Sequence, residues 1–145
     1  MRIGGIINFI ANQSSAKINE HLKTKGISHG EARVIHLLYH QDGLLQEKLT
    51  KLLLIDKSAV TRILKNMEEK GLIIKQISLK DKRNYEIYLT SKGRSLYSFI
   101  DQAFENVSNK MVNGLNLLEK EQLNQMLHTL AKNMEEFYEW WKNEK

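Results

Sequence analysis

Apolar residues along this chain recur mainly at spacings of three and four, as on one face of an α-helix, and give way to clean alternation at one place. At about 100° per residue, Val60, Ile63, Leu64 and Met67 share a narrow sector, with Ser58, Arg62, Lys65 and Glu69 opposite and Thr61 on the flank. Asp56 is placed to cap this helix, its carboxylate accepting backbone N–H groups and its charge suiting the positive helix end. Gly71 is placed to stop it, because glycine takes the left-handed conformation after a helix without steric cost. The pattern predicts a helix over Lys57 to Lys70. Before it, Gln46 to Leu53 predict a shorter helix whose Leu49, Leu52 and Leu53 face the Val60 stripe, with Leu54 and Ile55 in the turn. Two helices joined in this way form a helix-turn-helix.

Leu72 to Ser78 and Tyr85 to Leu89 read as strands, the second alternating Tyr85, Ile87 and Leu89 with Glu86 and Tyr88. Between them, Leu79 to Asn84 form a short cationic tip, suited to phosphates or a minor groove. The predicted fold is therefore mostly α with a small β-hairpin wing. A helix with one apolar face and one face of hydroxyls and cations can bury the first and offer the second to a duplex groove.

The flanking segments read as a scaffold. Ile3, Ile6, Ile7, Ile10, Ile18 and Leu22 follow helical spacing, although Gly4 and Gly5 weaken the first turn. Ser28 and Glu31 form a capping box for a helix that points Val34, Ile35 and Leu38 inward. Thr90 caps a long helix through Leu96, Phe99, Ile100, Phe104 and Val107, and Asn113-Gly114 marks a break. A last helix from about Glu119 carries Leu123, Met126, Leu127, Leu130, Met134, Phe137, Tyr138 and Trp141 at three-four spacing. An apolar stripe left in water costs roughly 25 cal/mol per Å². A homodimer formed by the N- and C-terminal helices is the expected remedy, with residues 28–95 as the winged unit and residues 1–25 and 96–145 as dimerisation helices. Phe137, Tyr138, Trp140 and Trp141 are read as packing rather than as a ligand box.

Composition narrows the function. At 145 residues the chain has the length of one domain, and its net charge of +5 is unevenly spread. Residues 41–95 hold twelve Lys/Arg against seven Asp/Glu, whereas residues 96–145 hold five against eight. Positive charge therefore concentrates on the segment expected to meet a polyanion. The absence of cysteine excludes disulfides and thiol switches. No stretch is apolar enough for a signal peptide or a membrane span, so a cytoplasmic chain is expected. There is no Gly-rich phosphate loop, nucleophile elbow or metal-protease helix, so enzymatic chemistry has no support. His36 and His40 stand at i, i+4, a spacing that can chelate. With no cysteine and with His21, His29 and His128 scattered, neither a metal nor a cofactor is assigned.

Taken together, Asp56-Lys57-Ser58-Ala59-Val60-Thr61-Arg62, Lys70-Gly71-Leu72-Ile73, the pair Asp81 and Arg83, and Leu89-Thr90-Ser91-Lys92-Gly93 resemble the MarR-type winged helix-turn-helix regulators. The resemblance is strongest over residues 26–95. It departs from the family pattern in lacking a proline before Asp81. It implies a recognition helix that enters the major groove through Ser58, Thr61, Arg62 and Lys65, and a wing that brings Arg83, held by Asp81, to the minor groove. Lys48, Lys57, Lys65, Lys80 and Lys82 would supply phosphate attraction and register. The resemblance also implies a pocket for a small amphipathic or phenolic effector, for which His36, Tyr39, His40 and Tyr97 are candidate linings.

The resulting reading is a dimeric, sequence-specific DNA-binding transcriptional regulator, a ligand-responsive repressor on double-stranded DNA bearing an inverted repeat. Two alternatives stay open. One is a basic, non-specific nucleoid-type DNA binder, and the other a protein-interaction winged helix that makes no DNA contact.

Overall fold

A computed structural model describes residues 2–134. Phe137, Tyr138, Trp140 and Trp141, expected on the last helix, lie outside the described residues. The chain divides into two compact units, Met1–Val107 and Ser108–Lys145.

In the first unit, α1 (Gly4–Leu22) and a short 3-10 turn lead to α2 (His29–His40), β1 (Leu44–Leu45), α3 (Gln46–Leu53) and α4 (Lys57–Glu69). Strands β2 (Ile73–Ile77) and β3 (Tyr85–Leu89) follow, then α5 (Ser91–Ser95) and α6 (Tyr97–Met111), whose last four residues fall in the second unit. The strands form an antiparallel sheet in the order β1-β3-β2, with Ile73 opposite Leu89, Ile77 opposite Tyr85 and Leu44 opposite Ile87. A mostly helical chain carrying a hairpin wing is thus what the molecule adopts, with β1 added to the hairpin.

The helix-turn-helix forms for the reasons its sequence suggests. Val60, Leu64 and Met67 of α4 and Leu49 and Leu53 of α3 are fully buried with Leu22, Val34, Ile35, Leu38, Ile87 and Ile100, while Ile63 is half-buried. Each such side chain contributes about 1.5–3 kcal/mol relative to leaving it in water. Asp56 caps α4 by accepting the Ala59 N–H at 2.9 Å. Beyond Lys70, Gly71 turns away at φ +70°. The turn between the two helices is closed by Leu54 at φ +55°, a left-handed conformation uncommon for a non-glycine residue.

Two local expectations are corrected. Ser28 accepts the Glu31 N–H at 3.1 Å, but the Glu31 carboxylate does not return to complete a capping box. It is buried and bonds both oxygens to the Lys70 ammonium at 2.8 and 2.9 Å, tying the start of α2 to the end of α4. The long helix expected after Thr90 breaks at Leu96 into α5 and α6, because the Leu96 N–H reaches back to Gly93 O at 3.2 Å, a tight i−3 bond.

In the second unit, α7 (Leu117–Met134) starts two residues before Glu119. Asn116 accepts the Glu119 N–H and Glu119 accepts the Asn116 N–H, both at 2.9 Å, and this reciprocal cap fixes the start. On α7, Leu117, Leu118, Met126, Leu127 and Met134 are exposed. On α1, Ile6, Ile7, Phe9 and Ile10 are exposed, and burial begins at Ile18. Among the described residues no helix is long and apolar enough to cross a membrane.

Candidate nucleic-acid interface

The outward face of α4 carries Lys57, Ser58, Thr61, Arg62 and Lys65, all exposed. Its hydroxyls have local partners. Ser58 Oγ donates to the Asp56 carboxylate, and that bond, followed by the Ala59 N–H, holds the Asp56 carboxyl below its ordinary range. Thr61 Oγ1 donates to Lys57 O at 2.9 Å. Both hydroxyls have therefore committed their single proton to their own helix and face outward as acceptors. The Gln46 amide Nε2, from the first turn of α3, donates to Thr61 Oγ1 at 3.4 Å.

The wing stands beside this face. Lys80, Asp81, Lys82 and Arg83 are exposed at its tip, and three polar residues shape the loop without a proline. Buried Ser78 accepts the N–H groups of Lys80 and Asp81 at 3.3 Å, and its own N–H reaches Asn84 O at 2.9 Å. Asp81 accepts the backbone N–H of Arg83 at 3.1 Å and the Asn84 side-chain amide at 2.8 Å. The expected pairing of Asp81 with the Arg83 side chain is replaced by an aspartate that folds the loop, because the backbone amide two residues on lies within its reach and needs no long side chain to be ordered.

Between α3, the start of α4 and the wing lies a concavity of about 460 Å³ lined by Gln46, Glu47, Thr50, Lys51, Lys57, Arg83, Asn84 and Tyr85. The fold thus brings Lys57 and Arg83 to one recess. Lys48, half-buried on α3, is not among its walls. Gln46, Thr50 and Asn84 are polar residues the sequence pattern did not single out. Their only signal was position, Gln46 at the start of the first helix of the motif, Thr50 one turn later and Asn84 at the end of the tip.

The paired motifs at 70–73 and 89–93 interlock and hold the wing to α4. Thr90 donates its hydroxyl to Gly71 O at 2.6 Å, its N–H reaches Leu72 O at 3.0 Å, and Lys92 Nζ reaches Lys70 O at 2.8 Å. Gly93 sits where a Cβ would lie 2.2 Å from Leu72 O, so no larger residue fits without moving backbone.

The four residues suggested as effector linings gather between α2 and α6. Tyr39 and Tyr97 stack with ring centroids 3.6 Å apart, His40 Nε2 lies 3.0 Å from Tyr97 Oη, and the His36 and His40 rings are 4.9 Å apart. Burial, then the neighbouring His40, lowers the His36 pKa, against a smaller opposing effect of Asp101. Burial, then Asp101, raises that of Tyr97. Tyr39 and Tyr97 line a second concavity of about 430 Å³ with Ser91, Arg94, Ser95 and Ser98; His36 and His40 stand outside it. Arg94 lies 5.4 Å over the Tyr39 ring and pairs with Asp42 at 3.1 Å. Among the described residues no three His, Cys, Asp or Glu side chains are grouped so as to hold a metal.

Comparison with known proteins places this geometry. The profile of the MarR family matches residues 27–85. The uncharacterized HTH-type transcriptional regulator YybA of Bacillus subtilis (strain 168) is 26% identical over 134 residues, covering 92% of this chain and 89% of YybA. The HTH-type regulator MhqR of the same organism is 28% identical over 123 residues, 83% of each chain. A Listeria monocytogenes protein described as a MarR-family transcriptional regulator, solved in complex with a 26-mer DNA, superposes with a TM-score of 0.87 at 27% identity, covering 99% of this chain and 95% of that one. The resemblance carried by residues 56–62, 70–73, 81–83 and 89–93 therefore extends to the fold as a whole: residues 27–85 match the MarR family, whose members are non-enzymatic DNA-binding transcription regulators, and the chain has the fold of MarR-family regulators.

Proposed function

We propose that the chain acts in the cytoplasm as a homodimeric repressor of transcription that reads an imperfect inverted repeat. In this reading α4 of each protomer enters a major groove, Ser58, Thr61 and Arg62 meet base edges, and Lys48, Lys57, Lys65, Lys80 and Lys82 hold the phosphates. Arg83 reaches from the wing toward the minor groove, and Asp81 keeps the tip in shape for it. The observation that carries this is the exposed cationic and hydroxyl face of α4, continuous with a recess walled by Lys57 and Arg83. Exposed apolar residues on α1 and α7 support pairing with a second copy. Half-sites would then lie about 10 base pairs apart.

Selection from random duplexes at near-physiological salt tests this. A palindrome is expected to emerge. Binding of all duplexes alike would point to nucleoid-type packaging, and no salt-dependent binding to a protein-interaction role.

The second part of the proposal is control by a small aromatic anion. The recess beside the Tyr39–Tyr97 stack supports it, since Arg94 offers a cation next to aromatic walls. Titrating 4-hydroxybenzoate into the operator complex should release DNA at concentrations where sodium chloride of equal ionic strength does not. Equal release by both would remove the effector from the account.

A further inference from the structure

We infer that Gln46 is a base-contacting residue that fixes one position of each half-site as adenine, acting as a pair with Thr61; this rests on the groove-reading role proposed for α4. The inference starts from a shortage of groups that both donate and accept. Ser58 gives its proton to Asp56 and Thr61 gives its proton to Lys57 O, so the hydroxyls of α4 can only accept. Arg62 and the lysines can only donate. Adenine presents an acceptor and a donor side by side in the major groove, N7 and N6–H₂, and a carboxamide matches both at once. Gln46 has the carboxamide on this face that touches α4.

Its orientation follows from the same hydrogen bonds. Because the Thr61 proton points to Lys57 O, the atom of Gln46 facing Thr61 Oγ1 is the amino group, and Oε1 with the second N–H is directed elsewhere. The contact is long at 3.4 Å, so it limits the search of a flexible side chain yet yields readily to a base. Gln46 is half-buried and its backbone carbonyl accepts the Thr50 hydroxyl at 2.9 Å, which anchors the residue in the first turn of α3. Lys57, Arg83 and Asn84 line the same recess as Gln46. Phosphates drawn to those cations would bring base edges to the amide.

Selection from random duplexes and competition titration with the full chain, Gln46→Ala, Thr61→Val and the double variant test the inference. Wild type is expected to select an adenine that Gln46→Ala no longer distinguishes. Operator affinity should fall roughly ten- to a hundred-fold, as for loss of a bidentate base contact, while affinity for random duplex and the salt slope stay unchanged. Thr61→Val should relax the same position, and the loss in the double variant should be smaller than the two single losses combined, as for a coupled pair. Retention of the full selected sequence by Gln46→Ala would overturn the assignment, and so would equal losses on operator and random duplex by a variant with an unchanged unfolding midpoint. A wild-type chain that selects no sequence would remove the groove-reading role itself and Gln46 with it, so the two failures are told apart.

Discussion

Arg62 and Lys82 carry the same charge but differ in what they can encode. A guanidinium offers a fixed fork of donors to one base, whereas an ammonium on a loop tip meets phosphates that look alike at every step. Arg62→Ala should therefore relax preference at one operator position by about 1–3 kcal/mol, and Lys82→Ala should weaken all duplexes similarly and reduce the salt slope by about one. Competition titrations against operator and random duplex distinguish the two; equal losses for both variants would contradict the division of labour. At this scale the exposure of residues 58, 62, 65 and 69 was legible from helical periodicity alone, and Thr61, read as flanking, is exposed with them. The direction of the hydroxyl protons was not, because it depends on which backbone carbonyl or cap lies within reach once the helix has formed. The same holds for Asp81, whose loop-folding role depends on turn geometry that periodicity does not report.

Elements are joined here by a few polar ties across an apolar core, and the Glu31–Lys70 pair is the most consequential. Glu31 is 4% exposed, and its partner also bonds Gly26 O at 2.8 Å. Lys70→Met would leave a buried carboxylate without its counter-charge. Because Lys70 keeps 41% side-chain exposure, the expected cost is about 2–3 kcal/mol, below the range for a fully buried pair. Urea unfolding with an unchanged denaturant slope measures it, and a loss under about 0.5 kcal/mol would mean that water already compensates Glu31. The pairing is between residues 39 apart in sequence, so the local signature Ser28-x-x-Glu31 suggested a nearer partner. Strand β1 went unread because two leucines carry no period, and only pairing with Ile87 and Glu86 makes them a strand. By contrast α3, α4 and β3 were legible to within a residue, since each combines a strong period with a cap, a glycine or a turn.

At the scale of the whole molecule, exposed apolar positions on α1 and α7 and the cationic face of α4 lead to one account. In the proposed reading a second copy covers the first, and two copies related by a two-fold axis would present two α4 helices to one side of a duplex. The cost of leaving Ile6, Ile7, Phe9 and Ile10 in water is what pairing would recover. The apolar periodicity at both ends was legible in sequence as a need for burial, but the identity of the covering surface lies outside what a single chain's pattern encodes. The most direct measurement is the affinity of the purified protein for its selected operator with native half-site spacing and with five base pairs inserted at the centre. The account predicts that the insertion, which turns the half-sites to opposite faces of the duplex, reduces affinity to near that of random DNA. Undiminished affinity for the inserted operator would contradict paired reading by a symmetric dimer.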